Sequence, residues 1–180
     1  MIKKIFRYFI LGAIICLLFQ SPIKAQYTIE KHYAGPSIGL SFLGSSFQFG
    51  GNYEYAININ NFGNIGIGGV LRYWGYSDSF TGGKWSYTNI LIGAQGNYHF
   101  TIRGNEPLDP YAGIVLAYDG GSVSYSGPGR NYPTPSHGGL WFGVQGGIRY
   151  WFNSNLAVTG RVGFGTLSYG ALELGLDLKF

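Results

Sequence analysis

Residues 171–180 read A-L-E-L-G-L-D-L-K-F. Side chains of a strand alternate with period two, so Leu172, Leu174, Leu176, Leu178 and Phe180 fall on one face, and Glu173, Gly175, Asp177 and Lys179 on the other. One face is wholly apolar and the other carries three charges, so the two must meet very different surroundings. Ten residues is also about what a tilted strand needs to cross a bilayer. Taken alone, the stretch fits a strand of a soluble sandwich, a soluble barrel around a lipophilic ligand, or a membrane barrel. The rest of the chain decides among them.

The same alternation recurs upstream. After a polar lead-in over 26–34, a first strand from residue 35 sets Ile38, Leu40 and Phe42 against Ser37, Gly39 and Ser41. Over 47–59, Phe49, Tyr53, Tyr55, Ile57 and Ile59 oppose Gln48, Asn52, Glu54 and Ala56; over 64–76, Ile65, Ile67, Leu71 and Tyr73 oppose Val70, Arg72 and Trp74. Further strands are expected over 85–100, 110–122, 139–152 and 156–168, the last two carrying Arg149 and Arg161 on their polar faces. The fifth is the least regular, because Ile114, Val115 and Leu116 are consecutive, and its face assignment rests on Asp119 pointing inward. Residues 60–63 and 153–155 read as tight turns, 78–84 and 101–109 as loops, and 122–137 as the longest loop. No helical periodicity follows the first 25 residues, and an even number of strands lets a meander return its last strand beside its first and close without edges.

Which face meets solvent follows from bulk. Charged residues make up 11% of the chain, against a usual figure of about 25%. The bulky Leu, Ile, Val, Phe and Tyr of one face would overfill the inside of eight strands, whereas glycines and a few long polar chains fit there. Aromatics gather toward strand ends, with Phe100, Tyr111, Tyr150, Phe152 and Phe180 near one rim and Phe42, Phe47 and Tyr73 nearer the other. An apolar band between two aromatic girdles is the pattern of an outer-membrane barrel with its polar face inside.

Residues 1–25 read as a cleaved signal peptide: a basic start (Lys3, Lys4, Arg7), an apolar run from Tyr8 to Phe19, and a polar exit ending at Ala25. The apolar run is short for a membrane span, which favours cleavage over an uncleaved anchor. The leader holds four of the twelve Lys and Arg and none of the eight acids, so the mature chain has eight of each sign. The basic pI therefore belongs to the leader and gives no support for nucleic-acid binding. Cys16, the only cysteine, also lies in the leader, preceded by Ile15 rather than the small residue a lipidation site wants. A mature chain free of cysteine folds in an oxidising compartment without disulfides.

The leader, the eight amphipathic strands and the run of alternate leucines ending on Phe180 resemble the small outer-membrane β-barrel proteins of Gram-negative bacteria, the OmpA/OmpX-like (porin family, outer membrane protein β-barrel domain) superfamily. The resemblance implies an all-β, eight-stranded antiparallel up-and-down transmembrane barrel over 35–180. It also implies an outer-membrane location among lipids including lipopolysaccharide, and a monomer; with no peptidoglycan-binding domain after Phe180, the two-domain OmpA arrangement is not expected. In that group the terminal aromatic and the hydrophobics before it are read by the outer-membrane assembly machinery, which maps here to Leu172, Leu174, Leu176, Leu178 and Phe180. Such a pattern specifies the class and leaves the individual function open.

The strongest chemical constellation is the set of inward charges Glu54, Arg72, Asp119, Arg149, Arg161, Glu173 and Asp177. If Leu167 pairs with Ala171, Arg161 stands opposite Asp177; a similar count around Asn60 leaves Glu54 diagonal to Arg72. Buried charges need partners, so the expectation is a plugged, ion-paired interior, with a narrow channel for small solutes or ions as the alternative. A lipid A-modifying enzyme of this architecture would need a His with Ser and an acid near the outer rim. His32 lies in the lead-in and His99 at a strand end; Ser136-His137 lacks both the His-x-Ser spacing and an adjacent acid, so no catalytic role is expected. No spacing suggests a metal or cofactor. Tyr125, Arg130, Tyr132 and His137 of the longest loop are candidates for surface recognition.

Overall fold

The computed structural model describes residues 27–102, 107–128 and 133–180. The leader with Cys16, and the loop candidates Arg130 and Tyr132, lie outside them. Eight strands follow one another as β1 (His32–Ser41), β2 (Ser46–Ile59), β3 (Gly63–Phe80), β4 (Gly83–His99), β5 (Leu108–Ser126), β6 (Gly139–Trp151), β7 (Leu156–Gly165) and β8 (Gly170–Lys179). Each pairs antiparallel with its sequence neighbours, and β1 closes on β8, giving a closed up-and-down barrel. The β1–β8 ladder runs through Tyr33↔Lys179 and Ala34↔Leu178 and resumes at Ser37↔Gly175. It lapses beside Pro36, whose nitrogen has no hydrogen to donate.

The alternation decides the faces. Leu174 is 62% exposed and Glu173 beside it 5%. Phe49, Ile67, Leu71, Ile92, Leu116, Phe142 and Phe164 are likewise exposed, while Gln48, Glu54, Arg72, Asn97, Arg149, Arg161 and Asp177 are buried. The molecule is thus apolar outside and polar inside. Aromatic pairs mark both rims: Tyr98–Phe100, Tyr150–Phe152 and His32–Phe180 at the end holding the C-terminus, and Phe42–Phe164 at the other. Tyr111 departs from the expected rim position. It shares parity with Val115 and Asp119, so it points inward, 3% exposed, with its ring 5.4 Å from that of His99.

Several boundaries move. β1 begins at His32, inside the expected lead-in, because His32 already pairs with Tyr55 and Tyr33 with Lys179. The segment 78–84 is not a loop: β3 and β4 stay paired to Phe80↔Gly83, and β5 continues to Ser126, paired with Lys84. Pairing of β2 with β3 stops at Gln48↔Trp74, and pairing of β5 with β6 stops at Asp119↔Gly139. Residues 75–88 and 120–126 therefore project past the barrel as a three-stranded blade, roughly 20 Å long at about 3.4 Å per residue.

Composition changes where the blade leaves the barrel. The outward residues Ile67, Leu71 and Tyr73 of β3 give way to Gly75, Ser77 and Ser79; Ile90 of β4 to Thr88, Ser86 and Lys84; Tyr118 of β5 to Gly120, Ser122, Ser124 and Ser126. Ser77 and Ser86 touch across that face, Oγ to Oγ at 3.2 Å.

Candidate functional site

The polar interior is layered. In the layer nearer the termini, Arg149 of β6 is the hub. Its Nε donates to Asp177 Oδ2 at 2.7 Å, and its Nη1 donates to Glu54 Oε1 at 3.1 Å and to Asp109 Oδ2 at 3.4 Å. β6 and β2 stand on opposite walls of an eight-strand ring, so the Arg149–Glu54 bond crosses the full lumen. Glu54 also accepts from Asn97 Nδ2 at 2.6 Å and lies 3.0 Å from His99 Nε2. The other His99 nitrogen, Nδ1, is 2.7 Å from Asp109 Oδ1. Thr159 donates to Asp177.

Aromatic rings close this layer toward the termini. The guanidinium of Arg149 sits 5.2 Å from the ring centres of both Tyr33 and Tyr111 and 6.0 Å from Tyr27, within cation–π range. Tyr27, in the segment before β1, stacks on His99 with centroids 3.6 Å apart and on Tyr33 at 5.0 Å, so the lead-in folds back into the barrel mouth. Burial, reinforced by the nearby Glu54 charge, holds the Tyr27 phenol well above its usual range, so it stays neutral at any physiological pH.

Nearer the blade, Glu173 of β8 is shared by two arginines. It is ion-paired with Arg72 of β3 and Arg161 of β7, and Gln48 Nε2 donates to its Oε1 at 2.5 Å. Asn52 Oδ1 accepts from both guanidinium groups, each at 2.7 Å. Arg72 also reaches the carbonyls of Gly51 and Leu71, and the Tyr169 hydroxyl donates to Gln48 Oε1 at 2.7 Å. Gln145 extends the layer nearer the termini by donating to Gln95 Oε1 and Asn97 Oδ1. Glycines make the crossing possible: a Cβ on Gly50 would stand 2.6 Å from Arg72 Cδ, and one on Gly39 would stand 2.9 Å from Glu173 Cγ. The space left is small, with a cavity of ≈ 30 Å³ beside Arg72, Arg161 and Glu173 and one of ≈ 40 Å³ beside Tyr27, His99 and Asp109. Each has room for a water or two.

Six of the seven expected interior charges enter this network, with different partners. Arg161 pairs across strands with Glu173 rather than Asp177, because the β7–β8 turn centres two residues earlier: Gly163↔Ala171 replaces the assumed Leu167↔Ala171. Leu167 and Ser168 form that turn with φ of 54° and 57°, which their residue types do not announce. Glu54 is not diagonal to Arg72; it faces Gly68, while Arg72 faces Gly50. Asp119 is the exception. It points inward, 3% exposed, but sits at the base of the blade with Oδ1 unpaired, outside both layers.

Two further corrections concern the loop candidates. Tyr125 lies on β5 at the blade tip, 5.1 Å from the Trp85 ring, with its hydroxyl donating to the Gly82 carbonyl. His137 turns into the mouth, where Nε2 is 2.5 Å from Asn89 Oδ1 and the ring is 5.0 Å from that of Tyr87. His99, Asp109, Gln48, Asn52, Asn97, Gln95, Gln145, Thr159 and Tyr27 were not singled out in advance. His99, Gln48, Asn52, Asn97, Gln95, Gln145 and Thr159 already carry inward parity, which is the available signal; Tyr27, outside any alternation, has none.

No protein-family model matches the chain, and no curated protein sequence matches it. Solved structures do. The N-terminal β-barrel domain of Pseudomonas aeruginosa OprF is similar with a TM-score of 0.56 at 17% identity, over 84% of this chain and 98% of that one. Ail, the attachment invasion locus protein of Yersinia pestis, is similar with a TM-score of 0.58 at 14% identity, over 85% and 100%. The P. aeruginosa outer membrane protein OprG gives 0.57 at 11% identity, over 88% and 99%. The fold is therefore that of the small eight-stranded outer-membrane barrels.

Proposed function

We propose that this chain is a small integral outer-membrane protein whose barrel is a sealed anchor and whose three-stranded blade is presented at the cell surface. The observation that carries this reading is the inverted distribution of polarity. An apolar exterior bounded by aromatic pairs and ending abruptly at the serines of the blade suits a barrel set in lipid, with the blade in water. The end with the termini would face the periplasm and the blade the outside. Lipopolysaccharide would surround the outer half, the assembly machinery would read residues 172–180, and the barrel would act as a monomer without catalysis. A non-catalytic role is supported by the histidines: His99 is tied between Glu54 and Asp109, and His137 faces Asn89 inside the mouth rather than lipid.

The plug is supported by bonds that span the lumen, Arg149 to Glu54 and Arg72 to Glu173, which an open conduit would have to break. Purified protein reconstituted into planar bilayers should add no steady conductance above leak. Stable open channels across the population would overturn the sealed reading and favour the narrow conduit.

A further inference from the structure

Between the blade and the ion-paired layers, the inner wall holds polar atoms that the barrel itself does not use. Trp74 pairs with Asn89 across β3 and β4, Asp119 pairs with Leu91 and is therefore diagonal to Asn89, and Trp141 pairs with Ala117 and is diagonal to Asp119. Four neighbouring strands thus place these four side chains together. The Tyr169 ring gathers the two indoles, stacked on Trp74 at 4.3 Å and edge-on to Trp141 at 5.6 Å. None of the four is more than 4% exposed. Yet Trp74 Nε1, Trp141 Nε1, Asn89 Nδ2 and Asp119 Oδ1 have no hydrogen-bond partner, while Asn89 Oδ1 is engaged by His137. Buried polar groups left unpaired cost stability, and here four gather on neighbouring strands above the ion-paired layers, which calls for a ligand.

We infer that the outer mouth of the barrel is a binding site for a neutral polyhydroxylated ligand of the saccharide class. Its free groups are three N–H donors and one carboxylate oxygen. An anionic ligand would meet Asp119, and a cationic one would meet three donors. A hydroxyl accepts from N–H and donates to carboxylate, which suits both kinds of free group at once. The indole and phenol faces offer the apolar platform on which the C–H face of a sugar ring can lie. The cavity of ≈ 30 Å³ beneath Trp141 and Tyr169 has room for one hydroxyl-sized group, so the ring would rest above it with a single substituent inserted. The sealed-anchor reading stands whether or not this mouth is occupied.

The test uses protein refolded in a phosphocholine detergent, which has no sugar headgroup, with the four indole N–H resonances followed by NMR during titration with glucose, maltotriose and, as an anion, gluconate. The expected result is saturable shifts of the Trp74 and Trp141 signals with at least one neutral sugar at millimolar concentration, with Trp151, at the opposite end, unmoved. Trp141→Phe, which removes the N–H and keeps an aromatic ring, and Asp119→Asn should each weaken binding about tenfold. Asp119→Asn carries the test if Trp141→Phe does not fold. The inference is overturned if neither neutral sugar gives saturable shifts, which would leave the mouth as a water site only, if both variants bind as tightly as the parent, or if gluconate binds as well as the neutral probes.

Discussion

At the scale of single residues, charge is shared unevenly between the two layers: Arg149 faces three carboxylates, whereas the two arginines nearer the blade share one. Glu173 alone faces both Arg72 and Arg161, with Asn52 and Gln48 as its neutral supports. Removing one member of a buried pair leaves the other charge without compensation, at about 3–5 kcal/mol. Glu173→Gln keeps shape and hydrogen-bonding capacity but strips the charge from two guanidinium groups, so it should lower barrel stability by about that amount, read as a fall in the urea midpoint of refolded protein. A midpoint within error of the parent would mean that Asn52 and the backbone carbonyls hold the arginines without it. That Glu173 lies inward was legible in residues 171–180; that it binds two arginines was not, because partners across a lumen depend on register around the whole ring.

At the scale of elements, strand length separates two duties. β1, β7 and β8 have ten residues each, about one membrane crossing, whereas β3, β4 and β5 have 18, 17 and 19 and carry the blade. An arginine on the lipid face near the bilayer centre costs about 2–4 kcal/mol, and a surface substitution stays within about 0.5. Leu174→Arg should therefore destabilise the barrel strongly in lipid, while Ser124→Arg, on the outward face of the blade, should be almost neutral in the same unfolding assay. Equal effects would mean that the apolar belt does not end below the serines. β8 has a second duty under the proposed assembly signal. Phe180→Ala should lower the amount of folded protein reaching the outer membrane while leaving refolding into micelles unchanged; impaired refolding in micelles would make the residue structural instead, through its stacking with His32 at 5.7 Å.

For the whole molecule, closure is the dominant fact. Every barrel strand has two partners, so no edge is left to unzip within the belt, and lumen-crossing ion pairs tie opposite walls. The protein should accordingly keep a compact, fast-migrating form in SDS gels until heated and shift to its unfolded mobility on boiling. A single band that ignores heating would contradict the closed barrel. The blade is the exception to closure, since the pairing of β2 with β3 and of β5 with β6 ends at its base. Strand counting from sequence misplaced it as two loops, because Asp78, Ser79, Gly82 and Gly83 look like turn residues and only the tertiary pairing shows that the turn is confined to Thr81 and Gly82.

What the amino-acid order determined by itself was everything that depends on period two: eight strands, their sequence of faces, and the choice of an apolar outside, since alternation is a local property of each strand. Register was decided only in three dimensions. A turn centred on Leu167 instead of Tyr169 leaves every face unchanged and gives Arg161 to Glu173, freeing Asp177 for Arg149. Tyr27 belongs to the same class of fact: nothing local marks it, and only the closed ring creates the mouth in which it stacks on His99. Periodicity sets which way a side chain points; what it meets there depends on seven other strands at once.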